Sequence, residues 1–351
     1  MMKKGWLLLL MVSGLWSCSS SNTNDSSKEG DRESSVWTIP KEEVLDGGPG
    51  RDGIPALENP NLINVSEVNF LADSDLVIGF QNGGDVRAYP HIILDWHEII
   101  NDNIGDVSLA VTYCPLTGTG IGWNRIVNGK ETTFGVSGLL YNTNLIPFDR
   151  ETSSNWSQIL NESVNGELLG EKVGVLPLFE TTWGVWKNLF PNSKVVSTNT
   201  GFSRTYGTSP YGDYNTNNNR FLFPVEKDSR LPLKERVYAV INNDKAKAYR
   251  FSDFSQGAVI KDNFEGETYL IVGNADFMVS FLLDANTTAL EFEYVFSGTE
   301  VIVKDDEGNE WSIFGEAISG PRAGEFLKPT TAFKGFWFSF PAFYETTIYN
   351  N

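Results

Sequence analysis

Few side chains in this sequence are thiols or imidazoles, the groups best suited to act as nucleophile, base or soft-metal ligand. It contains two cysteines and two histidines: Cys18, Cys114, His91 and His97. Residues 107–114 alternate between larger apolar and smaller or polar side chains, and this period of two predicts a strand that has one buried face and ends at Cys114. Pro115 cannot donate to a sheet ladder, so it ends the strand, and a glycine-rich turn follows. A thiol at such a position is a candidate site for chemistry. His91 follows a proline at a predicted turn, where we expect it to be exposed.

Cys114 and His97 lie seventeen residues apart and could act together in two ways. An imidazole beside a thiol can accept its proton and leave a nucleophilic thiolate. The same two side chains are also ligands for a soft transition metal such as copper. Each residue has a structural alternative: Cys114 as a small buried hydrophobe, and His97 as a core histidine, since it shares a helical face with Ile93 and Ile100. The spacing does not choose among these interpretations.

Other polar residues are candidate binding groups. Glu98 follows His97 and would support it. Arg150, beside Asp149, has the planar guanidinium that binds a carboxylate or phosphate through two parallel hydrogen bonds, and a surface ion pair is the alternative. Residues 135–138 read Gly-Val-Ser-Gly, which is not the Gly-x-Ser-x-Gly of a hydrolase nucleophile elbow. Two residues that follow this segment complete the set of candidate binding residues: Tyr141 and Asn142.

The composition describes a folded, acidic protein. Hydrophobic residues make up 40% of the 351 residues, which is enough to bury a core. The formal net charge is -18, and it becomes -20 without residues 1–17, which contain two lysines and no acid. Such a surface repels phosphate backbones, so we expect no nucleic-acid partner. Too few cysteines and histidines are present for a multi-cysteine zinc site.

The N-terminus predicts export and a lipid anchor. Residues 1–17 combine a basic start with an apolar segment too short to span a membrane, as in a signal peptide. Leu-Trp-Ser-Cys at residues 15–18 resembles the lipobox of bacterial lipoproteins, in which the cysteine, here Cys18, is acylated; an ordinary signal peptide with an incidental cysteine is the alternative. The residue after Cys18 is Ser19 and not an aspartate, which would favour retention in the inner membrane, so we expect an outer-membrane location. We therefore expect a cell-envelope protein held to the membrane through Cys18, with residues 18–48 as a flexible tether.

An internal repeat organises the rest of the chain. Val77–Cys114 aligns without gaps with Val237–Asn274 at an offset of 160 residues, and a Trp-Ser pair recurs further on. The repeat predicts an α+β, β-rich fold of two related modules with short helices. The first module (residues 49–198) carries the candidate site, a connecting loop follows (199–234), and the second module (235–351) is degenerate. Gly257 and Asn274 stand where the first copy has His97 and Cys114, so the scaffold itself does not require imidazole or thiol.

Several motifs of the sequence resemble the bacterial family known as domain of unknown function 3179. The matching stretches are Asp-Gly-Ile-Pro-Ala (52–56), Arg-Ala-Tyr-Pro (87–90), Trp-His-Glu-Ile-Ile-Asn-Asp (96–102), Val-Thr-Tyr-Cys-Pro-Leu-Thr-Gly-Thr (111–119), residues 134–142 and residues 149–158. The resemblance covers roughly residues 49–349 and implies no established reaction. Family members typically have a second cysteine where this chain has Thr117. A Cys-x-x-Cys redox pair is therefore impossible here.

Two hypotheses about function follow. The first is an envelope lipoprotein whose first module carries a Cys114/His97 site, either a thiol-dependent enzyme or a soft-metal site. The second is a non-catalytic lipoprotein that binds a glycan or peptide through aromatic residues, of which the ten tryptophans and the Tyr- and Asn-rich residues 199–224 are a source.

Overall fold

The computed structural model describes residues 36–350, and these form one compact unit. The predicted signal peptide and the predicted lipidation site Cys18 lie outside the described residues. Within residues 36–350 no helix is both long enough and apolar enough to cross a membrane.

The first half of the described chain contains seventeen strands and two seven-residue helices, α1 (His91–His97) and α2 (Trp183–Leu189). The strands are β1 (Leu45–Asp46), β2 (Leu57–Glu58), β3 (Leu62–Asn64), β4 (Leu76–Asn82), β5 (Asp85–Pro90), β6 (Ile99–Ile104), β7 (Val107–Cys114), β8 (Thr119–Asn124), β9 (Ile126–Val127), β10 (Lys130–Glu131), β11 (Phe134–Tyr141), β12 (Asn144–Asp149), β13 (Asn155–Ser157), β14 (Glu162–Asn165), β15 (Val175–Leu176), β16 (Phe179–Thr182) and β17 (Lys194–Val196).

The second half adds twelve strands. These are β18 (Arg236–Asn242), β19 (Lys245–Arg250), β20 (Ala258–Phe264), β21 (Glu267–Gly273), β22 (Met278–Leu283), β23 (Phe292–Tyr294), β24 (Val301–Asp305), β25 (Glu310–Ser312), β26 (Ala317–Ser319), β27 (Lys328–Pro329), β28 (Ala332–Phe336) and β29 (Glu345–Ile348). Short 3-10 helices complete the described chain: Lys41–Glu43, Val65–Glu67, Phe251–Phe254 and Trp337–Ser339.

Each half contains three sheets that correspond in the order of four strands, and each of these sheets in the first half has one further edge strand. In the first half these are β16-β4-β5-β17-β3, β15-β8-β7-β6-β2 and β1-β11-β12-β13-β14, beside the small β10-β9 ribbon. In the second half they are β28-β18-β19-β29, β20-β21-β22-β27 and β23-β24-β25-β26. The bounds of β4 and β18 differ by 160 residues, the offset at which the two sequence segments align. The β-rich α+β fold predicted from the sequence is confirmed.

Individual contacts also recur between the halves. The Tyr89 hydroxyl donates to Asp102 at 2.8 Å, and at the offset of 160 the Tyr249 hydroxyl donates to Asp262 at 2.8 Å. The Trp156 indole donates to Asp149 at 2.9 Å, and the Trp311 indole donates to Asp305 at 2.8 Å. Asp149 therefore has a scaffold role that the second half reproduces with a different residue spacing.

The two halves share one hydrophobic core. One buried cluster joins Trp123 and Trp156 of the first half to Phe333 and Trp337 of the second. Main-chain bonds cross the same boundary, since the Phe336 amide donates to the Thr117 carbonyl at 2.7 Å. Part of the predicted tether also belongs to this unit, because β1 pairs with β11. Neither half buries its apolar surface alone.

The strand that ends at Cys114 is covered on both faces. Strand β7 lies between β6 and β8, as the alternating pattern predicts a strand there. Leu109 and Val111 pack in one hydrophobic cluster, whereas Ala110 and Cys114 pack in the shared core. The prediction of a single buried face was wrong, because β12 of the same half packs against β7 and the Gln158 amide donates to Thr112 at 3.0 Å on what would otherwise be the outer face.

Residues 199–234, which we call the strap, contain turns but neither strand nor helix. Most of the strap is exposed, and Tyr214 is its fully buried anchor. The Tyr214 hydroxyl donates to the Leu116 carbonyl at 2.9 Å, directly after the strand that carries Cys114. The strap thus crosses the turn that follows β7.

Candidate functional site

The Cys114 thiol is buried and protonated. Cys114 pairs with Thr119 of β8, is 2% exposed, and directs its sulfur toward the Thr143 carbonyl at 3.7 Å. Burial, and after it the charge of Glu98, raises the pKa of the thiol to about 11. A thiol with this pKa carries little thiolate at neutral pH and is a poor nucleophile.

His97 is held as a neutral imidazole by partners other than Cys114. Its Nδ1 lies 2.7 Å from the Pro55 carbonyl, which can only accept, so Nδ1 carries the proton. Its Nε2 lies 2.7 Å from the Tyr206 hydroxyl of the strap and accepts from it. Burial lowers the pKa of His97. With both ring nitrogens occupied, the structure brings His97 and Cys114 into no hydrogen bond with each other.

Glu98 is the ionisable group that acts most strongly on Cys114. It terminates α1 with a φ of +56°, a left-handed conformation that is unfavourable for glutamate and is found where surrounding structure enforces it. Its carboxyl is buried and accepts from the Tyr211 hydroxyl of the strap at 2.8 Å. Burial raises the pKa of Glu98 to about 7, and the neighbouring Asp95 raises it as well, against the lowering effect of Tyr211.

The raised pKa of Glu98 predicts a stability that falls as the pH rises. The folded protein binds this proton more tightly than the unfolded chain, so its contribution is complete below pH 4.5 and is lost as the pH approaches 7. We expect the free energy of unfolding of the Glu98→Gln variant to fall less over this range, by on the order of 3 kcal/mol. Urea denaturation at pH 4.5, 6 and 7.5 measures the difference. Equal pH dependence of the two proteins would contradict a buried, protonated Glu98.

Thr117, the residue that departs from the family motif, has a hydroxyl that is hydrogen-bonded to neighbouring side chains. Thr117 is buried, and its hydroxyl lies 2.8 Å from that of Thr119 and accepts from the Asn144 amide at 2.9 Å. Thr119 in turn donates to Gln158 at 2.8 Å. The neutral network around Cys114 therefore consists of hydroxyls and amides.

The four other candidate binding residues have partners within the chain. Asn142 donates to the Ala342 carbonyl at 2.8 Å, and the half-buried Tyr141 ring packs edge-on against Phe343 at 5.5 Å. Asp149 is buried and accepts from the Trp156 indole. Arg150 makes two parallel hydrogen bonds of 2.7 Å to Asp52, so its bidentate carboxylate partner is a residue of the same chain. Within the described residues, no group of three or more His, Cys, Asp or Glu side chains is arranged to hold a metal ion.

A buried charge cluster that the sequence did not predict joins the two halves. Glu180 lies 2.6 Å from Arg236 of the second half and 3.6 Å from Nε2 of His91. The Lys334 ammonium donates to the Glu180 carbonyl at 2.5 Å. Burial alone would raise the pKa of Glu180, but Arg236, His91 and Lys334 together hold it well below its usual range. We call these four residues the charge cluster.

His91 is buried, and the expectation that it would be exposed was wrong. It begins α1, is 7% exposed, and packs against the Tyr113 ring at 4.5 Å. The second half has Phe251 at the equivalent place. The sequence signal was therefore the same one that singled out His97: a histidine without a histidine 160 residues further along the chain.

A large apolar cleft opens between the two halves. Its volume is about 670 Å³, within the range of sites for drug-sized ligands. Its walls are mainly apolar and include Leu178, Phe179, Phe281, Phe314, Leu327 and Pro329. The 65%-exposed ring of Phe326 lies at the cleft as well. A large exposed aromatic ring beside an apolar cleft is typical of a binding site.

Three hydroxyls form one connected polar group in this cleft, whose other polar side chains are Gln81, Asn82 and Glu316. The Tyr238 hydroxyl lies 2.8 Å from that of Ser280, which lies 2.5 Å from that of Thr330. Tyr238 comes from β18 and Ser280 from β22, while Thr330 lies between β27 and β28. We call these three residues the hydroxyl triad. Burial raises the pKa of Tyr238 to about 12, so its hydroxyl keeps its proton at neutral pH.

A second, much smaller cavity shares three lining residues with the cleft and borders the charge cluster. This cavity, which we call the neck, has a volume of about 10 Å³, about the space of one water molecule. Leu178, Tyr238 and Ala332 line both cavities, and Glu180 and Lys334 line the neck. Ala332 and Lys334 of β28 lie two residues apart and point to the same face of the strand. Glu180 of β16 lines the neck together with Leu178, which directly precedes that strand. The same elements thus build both the apolar wall and the charged floor.

Fold and site together define a β-rich α+β protein of two three-sheet halves, with a hydrophobic cleft between them and a strap over the strand end that carries Cys114. The chain belongs to the family described as protein of unknown function DUF3179, whose sequence model matches residues 51–347. The resemblance inferred from the motifs is thereby confirmed. No match to the chain was found among curated proteins or among solved structures.

Proposed function

We propose that this protein binds an apolar small molecule in the cleft between its halves. The observation that carries the proposal is the cleft itself: about 670 Å³, enclosed mainly by apolar and aromatic side chains, with one group of hydroxyls. A small number of positioned polar groups within an apolar wall is typical of small-molecule sites. Glycan sites present many hydrogen-bonding groups around their aromatic rings, so an apolar ligand fits this lining better than a glycan.

The predicted Cys114/His97 reaction has less support than binding. A nucleophilic thiol needs a lowered pKa and a base within reach, whereas burial raises the pKa of Cys114 and His97 bonds to Tyr206 and Pro55. The hydrogen bonds that occupy both ring nitrogens of His97 also argue against a copper site built on these two side chains.

The location we propose is the cell envelope, with the protein held to the outer membrane through an acylated Cys18. Support comes from the signal-like residues 1–17 and the lipobox-like residues 15–18. We further propose that an ancestral module was duplicated and that residues 199–234 connect the copies. The common strand order and the recurring Tyr–Asp and Trp–Asp bonds support duplication. In this proposal the second copy has lost the thiol and imidazole and has become one wall of the cleft.

Filling the cleft tests the binding proposal. Ala332 lines it, and we expect Ala332→Trp to weaken binding of the fluorescent probe 1-N-phenylnaphthylamine by more than about ten-fold, because the indole occupies the ligand's space. Ile126→Trp is the matched control, since Ile126 is exposed on the small β9–β10 ribbon and is not among the residues that line the cleft. Fluorescence titration measures both.

A second variant keeps the test decisive if Ala332→Trp disturbs folding. Phe326 is exposed, so Phe326→Ala leaves the core intact while removing apolar contact with the ligand. We expect roughly five- to ten-fold weaker probe binding. Failure of the wild-type protein to bind the probe, or unchanged binding in both variants, would overturn the proposal.

A further inference from the structure

We infer that the ligand of the cleft is an uncharged amphipathic molecule, a long apolar body with one hydroxyl or carbonyl group that bonds to the hydroxyl triad. This inference rests on the proposed binding function and adds the chemical class of the ligand. It follows from three features: the hydrogen-bonding capacity of the triad, the charges around it, and the size of the neck behind it.

The hydroxyl triad can serve a ligand as donor or as acceptor. Thr330 can donate to the Ser280 carbonyl at 3.2 Å or to the Ser280 hydroxyl. When Ser280 donates to Tyr238, the Tyr238 proton is free for a ligand carbonyl. When Tyr238 donates to Ser280 instead, the Tyr238 oxygen accepts from a ligand hydroxyl. Hydroxyl rotation alone switches between the two states.

The charged groups behind the triad bond to partners within the chain. Arg236 bonds to the Glu180 carboxylate at 2.6 Å. Lys334 donates to the main-chain carbonyls of Glu180 and Asp276 at 2.5 and 3.5 Å. None of Glu180, Arg236 and Lys334 lines the cleft itself, so an ionic ligand group beside the triad would lose its hydration without reaching a counterion, and burying an unpaired charge is costly.

The rest of the lining also disfavours an anion. The carboxylate of Glu316 is the one acidic group among the residues that line the cleft, and no lysine or arginine lines it. The formal charge of -18 lowers the local concentration of anions further. A cationic group beside the triad would find no available carboxylate there, because the neighbouring Glu180 already bonds to Arg236.

The neck is too narrow to bring a ligand group to the charge cluster. Its volume of about 10 Å³ admits about one water molecule, which is smaller than a carboxylate or an ammonium group with its first carbon atom. The polar end of the ligand therefore stops at the hydroxyl triad, and the apolar body extends outward past Phe281 and Leu327 toward Phe326.

Displacement of 1-N-phenylnaphthylamine from the full-length protein tests the ligand class. At pH 7.5 and below their aggregation concentrations, we expect dodecanol to displace the probe at concentrations at least about ten-fold lower than dodecanoate or dodecylamine. Glu316→Gln should improve dodecanoate binding by a larger factor than dodecanol binding, because it removes a negative charge from the cleft. Tighter or equal binding of either ion would overturn the inference while leaving the binding function in place.

Removing a member of the hydroxyl triad separates a hydrogen-bonding role from simple burial. We expect Ser280→Ala to weaken dodecanol binding by about five-fold, the effect of one ordinary hydrogen bond, and to weaken binding of the mainly apolar probe by a smaller factor. Ser252→Ala, at an exposed serine outside the cleft, is the control and should change neither. Unchanged dodecanol binding in Ser280→Ala would contradict the role of the triad. Absence of any probe binding by the wild-type protein would remove the proposed function, and the inference with it.

Discussion

Glu180→Ala should lower the free energy of unfolding by about 3–5 kcal/mol, the largest effect we expect from any single substitution outside the apolar core. Glu180 is the acidic partner of Arg236 and lies beside Lys334 and His91 at the boundary between the halves. Removing its carboxylate leaves the buried Lys334 and the partly exposed Arg236 without their shared anion. Urea denaturation at pH 7 measures the loss.

Two further variants make this result specific. Glu180→Gln keeps a hydrogen-bond acceptor for Arg236 but removes the charge, so we expect an intermediate loss. Glu291→Ala breaks an exposed ion pair with Lys261, in which the Glu291 side chain is 78% exposed, and should cost no more than about 1 kcal/mol. If Glu180→Ala and Glu291→Ala cost the same, the charge cluster would not hold the halves together.

Cys114 should resist alkylation in the native protein. A rise in pKa from 9.0 to about 11 lowers the thiolate fraction at pH 8 by about a hundred-fold, and burial restricts the reagent further. We expect no measurable labelling by iodoacetamide over hours in the native protein and complete labelling in urea. Peptide mass spectrometry reads Cys114 separately from Cys18.

A surface cysteine shows that the reagent is active. Ser252→Cys adds a thiol at an exposed position, which should be labelled within minutes under the same conditions. Rapid labelling of Cys114 in the folded protein would instead favour the thiol-dependent reaction over binding, and would direct attention to Glu98 as the group beside the sulfur.

Local pattern was sufficient to predict the elements around Cys114. The Asn-Gly-Gly turn gives the hairpin of β4 and β5, with Gly83 at a φ of +56°, and the alternation of residues 107–114 gives β7. The apolar residues Trp183, Trp186 and Leu189 recur at helical spacing, and this pattern predicts α2. These features depend on neighbours in the sequence, which is why the sequence alone carries them.

The cleft and the charge cluster could not be predicted in this way. Glu180 and Arg236 are 56 residues apart, and neither belongs to a motif. Their pairing depends on how the halves pack, and the repeat does not encode that packing. The partners of His97 show the same limit: Tyr206 reaches it from a strap whose composition predicts a loop but not a hydrogen bond.

The shared core has a consequence for how the chain must be made. Trp156 packs in the same cluster as Tyr344, whose hydroxyl donates to the Ile159 carbonyl. The apolar surface around Trp156 is therefore covered only after residue 344 has been synthesised. At ordinary ribosomal speeds this interval is roughly 10 to 40 seconds. During that time the nascent first half exposes apolar surface to solvent and to other chains. Newly synthesised chains therefore depend on being kept apart, by a chaperone or by dilution, until the C-terminus has emerged.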